Sequence, residues 1–176
     1  LSTILTNQSL DISAYTEGYG EIKSLLDLTF ASGEQVNITS TYSLGQTDSF
    51  VQVDTLLTNI GTTPINNVRL WVGTGDDWVG TTDRPTKTKG NLTTNGFEII
   101  ATQDQQSRAV RVDETTFGEG ASVVFYSTNA EADTSINFCC SFTNTTGTDP
   151  SSSLIRSEER DGSYSLFMRL NDLGAG

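Results

Sequence analysis

The chain has 176 residues, a formal charge of −12, no His, two Cys and one Met. Without imidazole there is no Ser-His-Asp or Cys-His catalysis, no His-ligated zinc or haem, and no histidine pH switch. Ten basic residues against 22 acidic ones speak against nucleic acid and anionic membrane surfaces as partners, because both are bound by neutralising phosphates.

Apolar runs are about as short as Val123-Val124-Phe125-Tyr126, so no segment is expected to insert into a membrane as a helix. The length suits one domain over 1–176, which at this size buries about 70 % of its unfolded surface without help from disulfides or metals. A start at Leu1 with no signal pattern is expected of a processed chain or a piece of a longer one.

Taken in chain order, the first ambiguous stretch is 21–30. Ile22, Leu25 and Leu26 allow a helix, but the β-rich surroundings favour a strand. From Val36 onward, alternation with period two dominates, the mark of strands with one buried face. Val36, Ile38, Tyr42 and Leu44 alternate with Asn37, Thr39, Thr41 and Ser43. Val51 and Val53 follow, then Val68, Leu70 and Val72, then Phe97 and Ile99. Val110 and Val112, Val124 and Tyr126, Ile136 to Phe142, and Tyr164 to Leu170 complete the series. Gly, Asn, Asp, Ser and Thr clusters separate these runs, a spacing that predicts an antiparallel sandwich. Thr and Ser, 27 and 19 in number, suit pleated, half-solvated faces. Two long connections are expected, at about 73–96 and 143–162, each beyond the ordinary loop length of about 12 to 15 residues; the second allows a helical turn near 152–160.

The run from Ser49 to Leu70 contains alternating Val, then Thr58-Asn59-Ile60-Gly61, then Asn66-Asn67-Val68. It resembles the immunoglobulin-like repeat modules of microbial surface proteins, including the bacterial cell-adhesion-related family. Asn59 and Gly61 would tolerate positive φ at the strand exit, and Asn66-Asn67 would make a second turn. The phrase Leu170-Asn171-Asp172-Leu173-Gly174-Ala175-Gly176 resembles the one that precedes the final strand of such modules. The resemblance implies an elaborated immunoglobulin-like sandwich of about eight to eleven strands that serves as a spacer or adhesive unit. A missing last strand would leave an open edge that a neighbouring copy fills by strand addition.

Cys139 and Cys140 are adjacent and are the two cysteines of the chain. Three states are open: a vicinal disulfide that ends the strand, two reduced thiols with Cys140 facing the core, or pairing between molecules. Asn7, Asn37, Asn91 and Asn144 head Asn-x-Ser/Thr sequons and are candidate glycosylation sites in a secreted chain.

Asp76, Asp77 and Asp83 among the glycines of the 73–96 connection form a candidate calcium set; no other cofactor is suggested. Arg84, Lys87 and Lys89 beside them either offset these carboxylates or meet an anionic sugar. Trp78 with Asp76 and Asp77 is the combination that stacks on a sugar ring and accepts its hydroxyls. Catalysis would need two carboxylates about 5–10 Å apart, which sequence spacing does not place, and no enzyme is expected. The leading reading is a structural module of an extracellular surface layer, appendage or filament, glycosylated and assembling with copies of itself or with neighbouring modules. The alternative is a carbohydrate-binding or adhesive module at the cell surface.

Overall fold

The computed structural model describes residues 3–115, 120–140 and 157–176. Among them there is no helix, and every strand pairing is antiparallel. The fold is all-β, with eleven strands of four or more residues and two shorter ones. The chain divides into two compact units, Leu1–Val68 with Asn171–Gly176, and Arg69–Leu170.

The first unit is one five-stranded sheet. It contains β1 (Thr3–Asp11), β2 (Tyr15–Thr16), β3 (Tyr19–Phe30), β4 (Gln35–Leu44) and β5 (Gln52–Asn59). Their order is β1-β3-β4-β5, with β2 paired to β3. The 21–30 stretch is therefore strand, as its surroundings predict. Residue pairing sorts the side chains by face. Leu26, Ile38 and Leu57 lie abreast, as do Ile22, Tyr42 and Val53, with Leu28 and Val36 on the same face. Asn7, Asp27, Asn37 and Thr58 lie abreast on the other face, as do Asp11, Lys23, Thr41 and Asp54, with Ser9, Leu25, Thr39 and Leu56 in the row between them. Period-two alternation here produces one mainly apolar face and one mixed face that is mainly polar.

β1 escapes a sequence reading because its register shifts between Leu5 and Asn7. The bulge leaves Thr6 to donate its hydroxyl to the Asp27 carbonyl at 3.0 Å, and it turns Leu5 and Leu10 onto one face despite their spacing. Gly33 closes the β3–β4 turn with φ +98°, where a Cβ would be strained.

The strand exit at 58–61 works differently from the expectation. Neither Asn59 nor Gly61 has positive φ; among these turn residues Asn67 does, at 54°. Asn59 acts through its side chain, which donates to Thr63 O at 2.8 Å and accepts from Gly61 N at 2.9 Å. The segment 61–67 then receives Asn171–Gly176: Ile65 and Leu173 exchange two backbone hydrogen bonds at 2.9 and 2.8 Å, and Asn67 N donates to Asp172 Oδ1 at 2.7 Å.

The second unit holds two sheets. One contains β10 (Ser122–Tyr126), β9 (Ala109–Asp113), β7 (Thr86–Thr93) and β12 (Ser157–Glu159) in that order, with β8 (Gly96–Ile99) paired to β7. The other contains β11 (Ala132–Phe138), β13 (Gly162–Arg169) and β6 (Arg69–Thr74). They pack face to face as a sandwich: Val110 and Val112 of β9 meet Ile136 of β11 and Tyr164 of β13, with Val79 closing the cluster. Trp71 packs edge-on against Phe167 at 4.7 Å and Phe125 against Tyr164 at 6.0 Å. Burying each such aliphatic side chain contributes about 1.5–3 kcal/mol.

The connection expected at 73–96 contains a strand, β7, hydrogen-bonded along both sides. Its sequence Thr86-Lys87-Thr88-Lys89-Gly90 lacks apolar alternation, yet all five residues are buried. The reason is that its lysines find partners inside the fold, which composition does not display. The second connection, 143–162, contributes β12 and the start of β13 at its end; residues 143–156, including most of the expected helical turn, lie outside the described residues, and 157–159 is strand.

Candidate functional site

All contacts that bring the singled-out loop residues together lie within the second unit. After β6 the chain stays extended, and residues 76–80 alternate outward and inward: Asp76, Trp78 and Gly80 are exposed while Asp77 and Val79 are buried. The two neighbouring aspartates therefore do different jobs.

Asp77 points inward and pairs with Lys87; both side chains have no solvent exposure. Its Oδ1 accepts a hydrogen bond from Gly162 N at 3.2 Å. The Lys87 ammonium also donates to Pro85 O at 3.2 Å and Arg160 O at 2.5 Å. The knot thus ties the 75–80 loop to β7 and to the start of β13, one strand from each sheet. Gly162 has to be glycine here, since a Cβ would crowd Asn137 O and come within 3.2 Å of Lys87 Cε. Burial pushes the Asp77 carboxyl above the ordinary aspartate value, against the pull of the Lys87 ammonium and the Gly162 amide. Burial, and then the Asp77 charge, also raises the Tyr164 phenol.

Asp76 points outward. With Asp161 and the sulfurs of Cys139 and Cys140 it forms a group whose ligand atoms lie within 4.8 Å of one another, Cys139 Sγ standing 3.9 Å from Asp76 Oδ1. Cys139 and Cys140 are joined as a vicinal disulfide, and β11 stops at Phe138, just before it. Disulfide sulfur is not a thiolate donor, so two carboxylates remain for any cation. The calcium set read from sequence is not assembled: Asp77 is turned inside and engaged by Lys87, and Asp83 is exposed and outside this group. Cys140, expected in the core if reduced, is exposed.

Trp78 is 68 % exposed. Its indole N–H donates to Gly80 O at 3.1 Å, which holds the side chain to the loop while the ring stays accessible. The loop is anchored by Glu114: Oε1 accepts from Thr81 N at 2.9 Å and Thr81 Oγ1 at 2.6 Å, and Oε2 from Ala121 N at 2.9 Å. Those donors, the Ala121 amide foremost, hold the Glu114 carboxyl below the usual glutamate value. Gly80 and Gly120 leave the room that its carboxylate occupies.

The basic trio does not form a surface patch. Arg84 is exposed, but Lys87 and Lys89 are buried; burial pulls the Lys89 amine below its usual value while the Asp133 charge opposes this.

The sequons differ in what their amides do. Asn7 and Asn37, on the polar face of the first unit, both donate to the Asp27 carboxylate, at 3.0 and 2.6 Å, and with Asn37 first they hold its pKa low. Asn91 is half-buried and spends both amide atoms on the fold, donating to Gln106 O at 3.2 Å and accepting from Arg108 N at 2.9 Å. Asn144 lies outside the described residues.

Gly162, Asp161 and Glu114 are the residues sequence reasoning missed; Lys87 was read as offsetting the loop carboxylates or meeting an anionic sugar, and it pairs with Asp77. A pair of lysines spaced by one Thr in a β-rich chain was the legible hint for Lys87; the other three carry no local signal. Comparison with protein-family models, curated proteins and solved structures returned no match for this chain.

Proposed function

We propose that the chain is a structural module of an extracellular layer, appendage or filament, assembling with further copies of itself. The observation that supports this is the bare apolar surface on the single sheet of the first unit. Its apolar face carries Leu10, Leu5, Val53 and Tyr42 at 67, 47, 44 and 40 % exposure. Monomeric proteins rarely leave such a contiguous patch bare, and β1 and β5 end the sheet as open edges among the described strands. A second copy meets both features, by strand addition at an edge or by packing face on face. The vicinal disulfide accords with an oxidising compartment, and the Ser49–Leu70 phrase resembles adhesive repeat modules. Asn7, the most outward of the described sequon residues, is the favoured glycan acceptor. With a charge of −12, copies repel one another, so assembly should strengthen as salt screens them. Electron microscopy of the purified chain across concentration and salt tests the reading: ordered polymers support it, and monodisperse particles throughout overturn it.

The exposed Trp78 favours one second reading, a sugar-stacking or adhesive loop. A glycan array probed with the chain and with Trp78→Ala separates the two, because assembly should not depend on that ring.

A further inference from the structure

We propose that Asp77 and Lys87 are joined by an intramolecular isopeptide bond formed by the folded protein itself. An ammonium and a carboxylate taken fully out of water cost several kcal/mol each, and their attraction offsets this only with excellent geometry. Once a proton passes from Nζ to the carboxylate, the pair is an amine and a carboxylic acid, the two reactants of an amide condensation. Both side chains have no solvent exposure, so hydrolysis is disfavoured once the bond exists.

The surroundings supply each part of the condensation. Lys87 Nζ touches Asp77 Oδ2, the oxygen that leaves, and among the described residues this oxygen has no hydrogen-bond partner apart from that contact. Oδ1, the oxygen that stays, already accepts from Gly162 N at 3.2 Å. That amide is placed to stabilise the charge developing there in the tetrahedral intermediate. Pro85 O and Arg160 O accept from Nζ and hold the amine in place. The Nζ lone pair attacks Cγ, a C–N bond forms, the C–Oδ2 bond breaks, and the hydroxyl leaves with one amine hydrogen as water. No electrons change hands and no co-reactant is needed. The product closes the 77–87 connection into a covalent ring that links the loop after β6 to β7.

The test is the intact mass of the purified, unfolded and thiol-reduced chain, followed by tryptic mapping. The expected mass is one water below the sequence value. Trypsin does not cut before Pro85, and Lys87 would resist it when acylated, so both residues should appear in a dehydrated peptide spanning 70–89. Lys87→Arg should restore the full mass. Asp77→Asn should yield the same linked peptide by losing ammonia instead of water. A full sequence mass for the native chain overturns the proposal, as does a water loss mapped elsewhere, such as a cyclised Asp161-Gly162.

Discussion

The two units use the same Thr- and Val-rich strands to opposite ends. The first has Val36 as its one buried hydrophobic among the described residues, whereas Val79, Ile100, Ala109, Val110, Val112, Ala132, Ile136, Leu166 and Phe167 all belong to the second. The second closes two sheets over an apolar cluster and the enclosed Asp77–Lys87 pair. The first spreads its apolar side chains over a single sheet and leaves several bare, most of them on one face. A sheet needs a second layer to bury its greasy face; the second unit contains both layers, and the first offers a face that a partner can complete. That contrast is why the second unit is the better place to look for internal chemistry and the first for association.

The contrast can be broken most forcefully at the buried pair. Lys87→Met should cost the second unit about 3–5 kcal/mol by leaving Asp77 enclosed without its partner, read as a large drop in the denaturation midpoint. Replacing both, Asp77→Leu with Lys87→Met, should recover the part of that loss due to the stranded carboxyl, but not the part due to the lost cross-link. Next in size, Ile136→Ala should cost about 2–5 kcal/mol, while Leu10→Ala in the first unit should change stability by less than about 0.5 kcal/mol yet weaken assembly in light scattering. If Leu10→Ala proves as costly as Ile136→Ala in a monomeric sample, the distinction between the units fails.

Asn59→Ala removes three side-chain hydrogen bonds at the exit of β5 and should cost about 1–2 kcal/mol, measured by chemical denaturation. The smallest effect concerns pH. The Glu114 carboxyl is held below its ordinary value of 4.5, so the folded chain binds fewer protons than the unfolded one in that window. Its contribution is therefore present above the ordinary value and fades as pH falls through the depressed one. Glu114→Gln should flatten this part of the acid-unfolding curve.

β4 was legible because one of its faces is largely apolar and the other polar, and β9, β10 and β13 because they are short β-branched and aromatic runs bounded by turn residues. β1 was hidden by a bulge that shifts its register at Thr6. β7 was hidden because its inward positions are lysines, which read as a solvated loop until Asp77 is seen opposite. The site was legible in part: the Cys139–Cys140 pair and the acidic loop were both singled out. The opposite directions of Asp76 and Asp77 were not, since neighbours in a strand-like segment face apart but sequence does not say which one faces in. Glu114, Asp161 and Gly162 lie far along the chain and act through contacts that exist only once the sheets have paired.

Sedimentation velocity over a concentration series, on the wild type and on Tyr42→Lys/Val53→Lys, addresses the central claim most directly. The account predicts that the wild type shifts to larger species with concentration and salt, while the double variant, charged on the apolar face of the first unit, stays monomeric and folded. A wild type that sediments as a monomer at every concentration, or a variant that assembles equally well, would contradict it.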